Sequence, residues 1–191
     1  MKFIKISIFF SLILLHGIVC SQNLQFYRED LTFEIKDGFF YVNGIYNFCN
    51  NGDKEIQQVL FYPFPVDSLY GRVDSINAFD VNAKSQNIIL NITEKGFLFN
   101  IGLNPYGIGK YKISYRQKLL KNKAEYILVS TQKWGAPFES SNYKLISYDN
   151  TRITATSYIP DSIKQINDKG IYYWSKKDFM PDKNMIFYFD R

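Results

Sequence analysis

Few residues in this chain can do acid–base, nucleophilic or metal chemistry. Histidine occurs once, at His16, and cysteine twice, at Cys20 and Cys49. His16 and Cys20 belong to a segment that reads as a leader, so export would leave one thiol and no imidazole. That set cannot build a Ser-His-Asp triad or a Cys-His pair. It cannot supply the three or four ligands of a His/Cys zinc site either. Gly107-Ile108-Gly109 lacks the downstream residues of a phosphate loop and opens a strand-like run. No calcium loop of the Asp-x-Asp-x-Asp-Gly kind occurs. The sequence therefore implies no cofactor and no metal. Paired carboxylates remain, because two of them suffice to hydrolyse a glycosidic bond. Glu29/Asp30 and Asp178/Asp182 are the nearest such pairs. Their simpler reading is as solvated turn and edge residues.

Aromatic side chains are the other chemical resource, at 18% of the chain. Most recur at period two and read as core. Trp134 stands apart, in the loop-like Lys133-Trp134-Gly135-Ala136-Pro137-Phe138, where an aromatic side chain can anchor a partner or stack on a sugar. Trp134, Phe138 and Tyr106, the last in the turn Asn104–Gly109, are the binding residues the sequence offers. Each has an alternative role as packing over the end of a sandwich.

Lys2 and Lys5 precede an apolar run from Ile6 to Leu15, and polar chain begins at Ser21. That order predicts a signal peptide over residues 1–21, with Val19 and Ser21 at the small-residue positions of a cut after Ser21. The run is about half the ~20 apolar residues of a membrane span, so no span is expected in the mature chain. Lipidation at Cys20, with cleavage before it, is the minority alternative. Cys49 then has no disulfide partner and reads as a buried, inert thiol. The expected location is secreted, periplasmic or cell-envelope.

Residues 22–191 read as one all-β domain. Leu31, Phe33 and Ile35 alternate with polar residues. So do Phe97, Phe99 and Ile101, and Tyr111, Ile113 and Tyr115. Ile88, Leu90 and Ile92 are read the same way, as the buried parity of a strand. This is the period of strands with one face buried. Asp37-Gly38 and Lys95-Gly96 read as hairpin turns. Proline cannot donate to a ladder, so Pro63 and Pro65 place Phe61–Val66 at a strand end or sheet edge. Ten to twelve short strands at this spacing predict an antiparallel β-sandwich. The charged, turn-prone stretch 118–123 is the weakest point in the chain and a possible boundary. Without Lys2 and Lys5 the formal charge falls from +5 to +3 (21 basic less 18 acidic residues), which favours solubility. Lys118, Lys121 and Lys123 read as edge protection, with no nucleic-acid partner implied.

The order of several elements resembles the vault/inter-α-trypsin type of β-sandwich. Asn43-Gly44-Ile45-Tyr46-Asn47-Phe48 is followed by Phe61-Tyr62-Pro63-Phe64-Pro65. Then come the Pro105 loop and the strand Gly109–Arg116, which carries Tyr111 and Tyr115. Thr131, Trp134, Trp174, Phe179 and Pro181 are similar to positions in uncharacterised secreted bacterial proteins of that build. The resemblance spans roughly residues 30–189. It implies the sandwich fold and no activity. The reading is thus a non-enzymatic exported module with a protein or glycan partner at the envelope. A carbohydrate-binding or carboxylate-dependent glycan-hydrolysing protein is the alternative.

Overall fold

The computed structural model describes residues 23–83, 86–148 and 151–191. The expected leader, with Cys20 and both cleavage positions, lies outside the described residues. The first half of the chain forms β1 (Leu24–Lys36), β2 (Phe39–Asn50), β3 (Ile56–Pro63), β4 (Tyr70–Asp80), β5 (Gln86–Asn87), β6 (Ile89–Thr93) and β7 (Gly96–Leu103). The second half forms β8 (Ile108–Leu119), β9 (Lys123–Tyr126), a 3-10 turn (Val129–Trp134), β10 (Phe138–Tyr148), β11 (Arg152–Thr156), β12 (Ser162–Ile166), β13 (Lys169–Phe179) and β14 (Met185–Asp190).

Eight of these strands make one wide sheet, in the order β12-β13-β10-β1-β2-β8-β4-β5. Two small sheets, β3-β7-β6 and β11-β14-β9, cover one of its faces. Ring contacts join the layers. Phe187 of β14 packs on Phe33, Phe40 and Trp174 of the wide sheet, with centroids 5.3–5.9 Å apart. Tyr62 of β3 packs on Tyr46 and Tyr115. Tyr111 of β8 donates to the Gly102 carbonyl of β7 at 3.0 Å.

The all-β sandwich expected from period two is what forms. It has more strands than expected, and several run to 11–13 residues. It also departs from pure antiparallel order, because β1 and β10 pair in parallel. After β8 the chain leaves the wide sheet at Leu120–Asn122, passes through β9 and the 3-10 turn, and re-enters beyond β1. A crossover of that kind returns a strand in the direction of its neighbour.

Local chemistry agrees at most turns. Asp37 and Gly38 both take positive φ (53° and 77°), which is the geometry of a two-residue hairpin turn. β3 is an edge strand and ends at Pro63. Ile88–Ile92 goes against expectation. Leu90 and Ile92 are more than half exposed, and a bulge between Ile89 and Asn91 breaks the period in this edge strand. Cys49 is half-buried, with its thiol pushed up chiefly by that burial.

Candidate functional site

Two polar regions stand out, on opposite faces of the wide sheet. The first is internal. β1 carries an extra residue near Tyr27, since Phe26 pairs with Phe48 and Arg28 with Asn47. This bulge switches parity: Leu24 and Phe26 point inward before it, and Glu29, Leu31, Phe33 and Ile35 after it. Glu29 is thereby driven into the core and is fully buried. The expectation that it is a solvated edge residue is overturned, because a one-residue insertion inverts every following side chain.

Phenols satisfy the carboxyl. Tyr143 of β10 donates to Oε1 at 2.7 Å, and Tyr126 of β9 donates to Oε2 at 3.1 Å. Tyr46 of β2 lies 3.3 Å from the Tyr126 hydroxyl and 2.7 Å from that of Tyr62 on β3. One row of hydroxyls therefore ties all three sheets together. Room for Tyr46 comes from Gly44, where an added Cβ would fall 2.5 Å from the tyrosine ring. Burial pushes the Glu29 pKa up to about 7, while the hydrogen bonds from Tyr143 and Tyr126 pull in the other direction. Tyr46, Tyr62 and Tyr126 are held well above 10, again chiefly by burial.

Trp134 closes the 3-10 turn at the end of this core. It is half-buried, with its ring 6.0 Å from Phe26 and 5.5 Å from Phe48. The cavity beside it, bounded also by Tyr46, Tyr62 and Tyr126, measures about 60 Å³. Phe138 is buried, with its ring 4.8 Å from Phe26. Tyr106 is 72% exposed, in its turn. The structure brings Trp134 and Phe138 together around Phe26. No contact joins Tyr106 to them.

The second region lies on the uncovered face. Directly paired residues in neighbouring strands form rungs across a sheet. One rung runs Lys112, Ile45, Asp30, Asn142, Ser175 through β8, β2, β1, β10 and β13. The next runs Ser114, Asn43, Thr32, Lys144, Tyr173, Ser162 and reaches β12. Short side chains dominate both rungs. Longer ones are more frequent on either side: Lys110, Arg28 and Lys177 on one flank, with Asn47 and Ser140 between them, and Tyr41, Glu34 and Arg116 on the other. The result is a trough across the strands, with a cavity of about 670 Å³. Strand spacing and rise make it roughly 25 Å long and 7 Å wide.

Both carboxylates of the trough already have partners. Asp30 is paired with Arg28 at 2.8 Å and accepts from Asn142 at 2.7 Å. Asp161 accepts the Ser175 backbone N–H at 2.6 Å and pairs with Lys176 at 3.0 Å; these contacts lower its pKa. Lys112 and Lys144 form no ion pair among the described residues. No group of three or more His, Cys, Asp or Glu suited to a metal occurs among them either. A glycosidase needs one carboxyl to keep its proton and reach the substrate. Here the carboxyl with the raised pKa is sealed in the core, and the pair in the trough is held by cations.

Sequence reasoning singled out Glu29 and Asp30 as a pair but missed the two separate regions they enter. Register decides which residues share a rung, and nothing local announces it. The bulge at Tyr27 is equally silent. Gly44-Ile45-Tyr46 was a usable signal, because a glycine two residues before a tyrosine in a strand lets the ring lie over it.

No protein-family model matches the chain, and no curated protein matches it by sequence. Solved structures do match. A candidate nutrient binding protein from Legionella pneumophila superposes with a TM-score of 0.72 at 14% identity, over 88% of this chain and 67% of that one. An M1 zinc metallopeptidase from Deinococcus radiodurans, bound to a Tyr-Ser-Ala peptide, superposes at 0.51 and 9% identity, over 87% of this chain and 42% of that one. At such identities the likeness is one of fold. Among the described residues no helix is long and apolar enough to cross a membrane.

Proposed function

We propose that this protein is an exported, non-enzymatic binding module of the cell envelope, and that it holds its ligand in the trough on the uncovered face. One observation carries the reading. Two rungs made mostly of short polar side chains, with Lys112, Lys144 and Tyr173 among them, cross the middle of the face that no second layer covers among the described residues. A cavity of about 670 Å³ falls in the size range of ligand sites. The fold likeness to a candidate nutrient binding protein agrees with a binding role and with an extracytoplasmic location.

Export rests on the leader pattern at residues 1–21, with the mature chain beginning at Gln22, and residues 22–191 act as one module. The vault/inter-α-trypsin build belongs to the same proposal as the type of sandwich. Trp134, with Phe138 behind it, is the secondary contact at the end of the core. Tyr106 is a further exposed contact.

Filling the trough tests the reading. Asn43→Trp places a large ring at its centre without touching the buried layer. Envelope components that shift the melting temperature of the purified protein should leave this variant unmoved. An unchanged shift would remove the trough as the site. Mass spectrometry of the mature N-terminus tests export: Gln22 is expected, and acylated Cys20 would indicate anchoring instead.

A further inference from the structure

We infer that the ligand of the trough is an acidic oligosaccharide, a chain of hydroxylated sugars carrying carboxylates at intervals; this rests on the trough being the binding site. Three features of the face carry the inference. Every backbone group in the middle of a continuous sheet is already used in the ladder. An extended peptide therefore finds no strand to pair with here and would need an edge. What remains for recognition is a floor of amides and hydroxyls: Asn43, Thr32 and Ser114 on one rung, and on the next Asn142, whose amide also bonds Asp30 and Ser175. Amides and hydroxyls that both donate and accept suit the neighbouring hydroxyls of a sugar. Tyr173, half-buried beside Lys144, adds a ring on which a sugar can stack.

Charge supplies the acidic part. Basic side chains stand on this face along the length of the sheet, among them Arg28, Lys112, Lys144, Lys164 and Lys177. The carboxylates Asp30, Glu34 and Asp74 are already taken by Arg28, Lys36 and Arg116. Lys112 and Lys144 are therefore left to meet a ligand's negative charge in the floor itself. They stand on β8 and β10, three strand steps apart, which is roughly 14 Å. Nucleic acid carries a phosphate every ~3.4 Å along each strand of a duplex. Cations this sparse, with neutral donors and acceptors between them, fit a chain whose charges are separated by uncharged hydroxylated stretches. Length agrees as well, since a trough of roughly 25 Å accepts several sugars and exceeds what one small nutrient fills.

The experiment titrates the purified protein, expressed from its full chain, with short oligomers of hyaluronan, unsulfated chondroitin and half-esterified galacturonate, in which uncharged sugars separate the carboxylates. Fully methyl-esterified galacturonate of the same length, single-stranded DNA and poly-glutamate are run beside them. At least one acidic glycan should bind, with affinity falling as salt rises, and the methyl ester should bind about tenfold or more weaker. Lys112→Gln/Lys144→Gln should remove the preference for acid over ester while leaving the weak affinity for the ester. Asn43→Trp should abolish both, with an unchanged circular dichroism spectrum showing that each variant folds. Equal binding of acid and ester would overturn the acidic class and leave the trough standing. DNA or poly-glutamate binding as tightly as the best glycan would overturn the glycan class. No binding by any of the three glycans would overturn the inference outright. The trough itself would then stand or fall on the Asn43→Trp result with envelope components.

Discussion

Glu29 and Asp30 are neighbours in sequence and opposites in circumstance. Glu29 points into the core, where phenols from β9 and β10 hold its carboxyl and a row of hydroxyls continues to β3. Asp30 points into the trough, where Arg28 and Asn142 meet it at the border of water. The interior polar group organises the fold: it demands partners, and its partners come from three sheets. A buried carboxyl left unpaired costs several kcal/mol, so this demand selects one packing of the layers. The exterior group is already solvated and adds little to stability, which leaves its surroundings free to serve a ligand. Polarity in the core therefore specifies structure, and polarity on the face is available for function.

Substitutions can break this contrast. The largest effect is expected in the apolar part of the interior, where Phe187→Ala should cost about 3–5 kcal/mol in denaturant unfolding. Its ring bridges Phe33, Phe40 and Trp174, so no single neighbour can refill the space. A cost near zero would mean that the two layers are not joined as described.

The next effect depends on pH. Folding raises the Glu29 pKa from the ordinary 4.5 to about 7, so the folded protein holds this proton more tightly than the unfolded chain. Stability from this group is greatest below about 4.5, falls as pH rises toward about 7, and the penalty is complete above that. Glu29→Gln should remove that slope and make the variant more stable than wild type at pH 8, by up to about 3 kcal/mol. Parallel melting curves from acid to alkaline pH would show no difference if Glu29 were solvated. Tyr126→Phe follows, at about 1–3 kcal/mol, because it strips a hydrogen bond from a buried carboxyl and breaks the row toward Tyr46. Thr32→Ala and Asn43→Ala on the outer face should change stability by less than about 0.5 kcal/mol. Under the proposed function their effect falls on binding, and a large loss of stability from either would blur the division between the two faces.

Much of the architecture was legible beforehand, for reasons tied to particular residues. Period two at Leu31–Ile35, Phe97–Ile101 and Tyr111–Tyr115 marks strands with one buried face, and those residues are buried. Asp37-Gly38 supplied two positive φ values where a hairpin needed them. The pattern misled at Leu90 and Ile92, where an edge position and a bulge left apolar side chains in water. The uncovered face was the less readable part. Its residues are ordinary polar members of alternating strands, and their meaning comes from who stands opposite whom. Trp134 drew attention because a lone aromatic side chain in a loop is conspicuous, while Thr32, Asn43 and Asn142 are inconspicuous one at a time.

Local sequence determined that this chain would form strands, where it would turn, and which faces would be oily, because alternation and turn chemistry act over a few residues. Only the tertiary structure decided that β10 would lie parallel to β1, that Glu29 would meet tyrosines from distant strands, and that short polar side chains would align into one trough. Those outcomes depend on pairing between segments far apart in sequence, Arg28 with Ser140 among them. Register at that range is set by the packing of whole layers, which no stretch of a strand encodes alone.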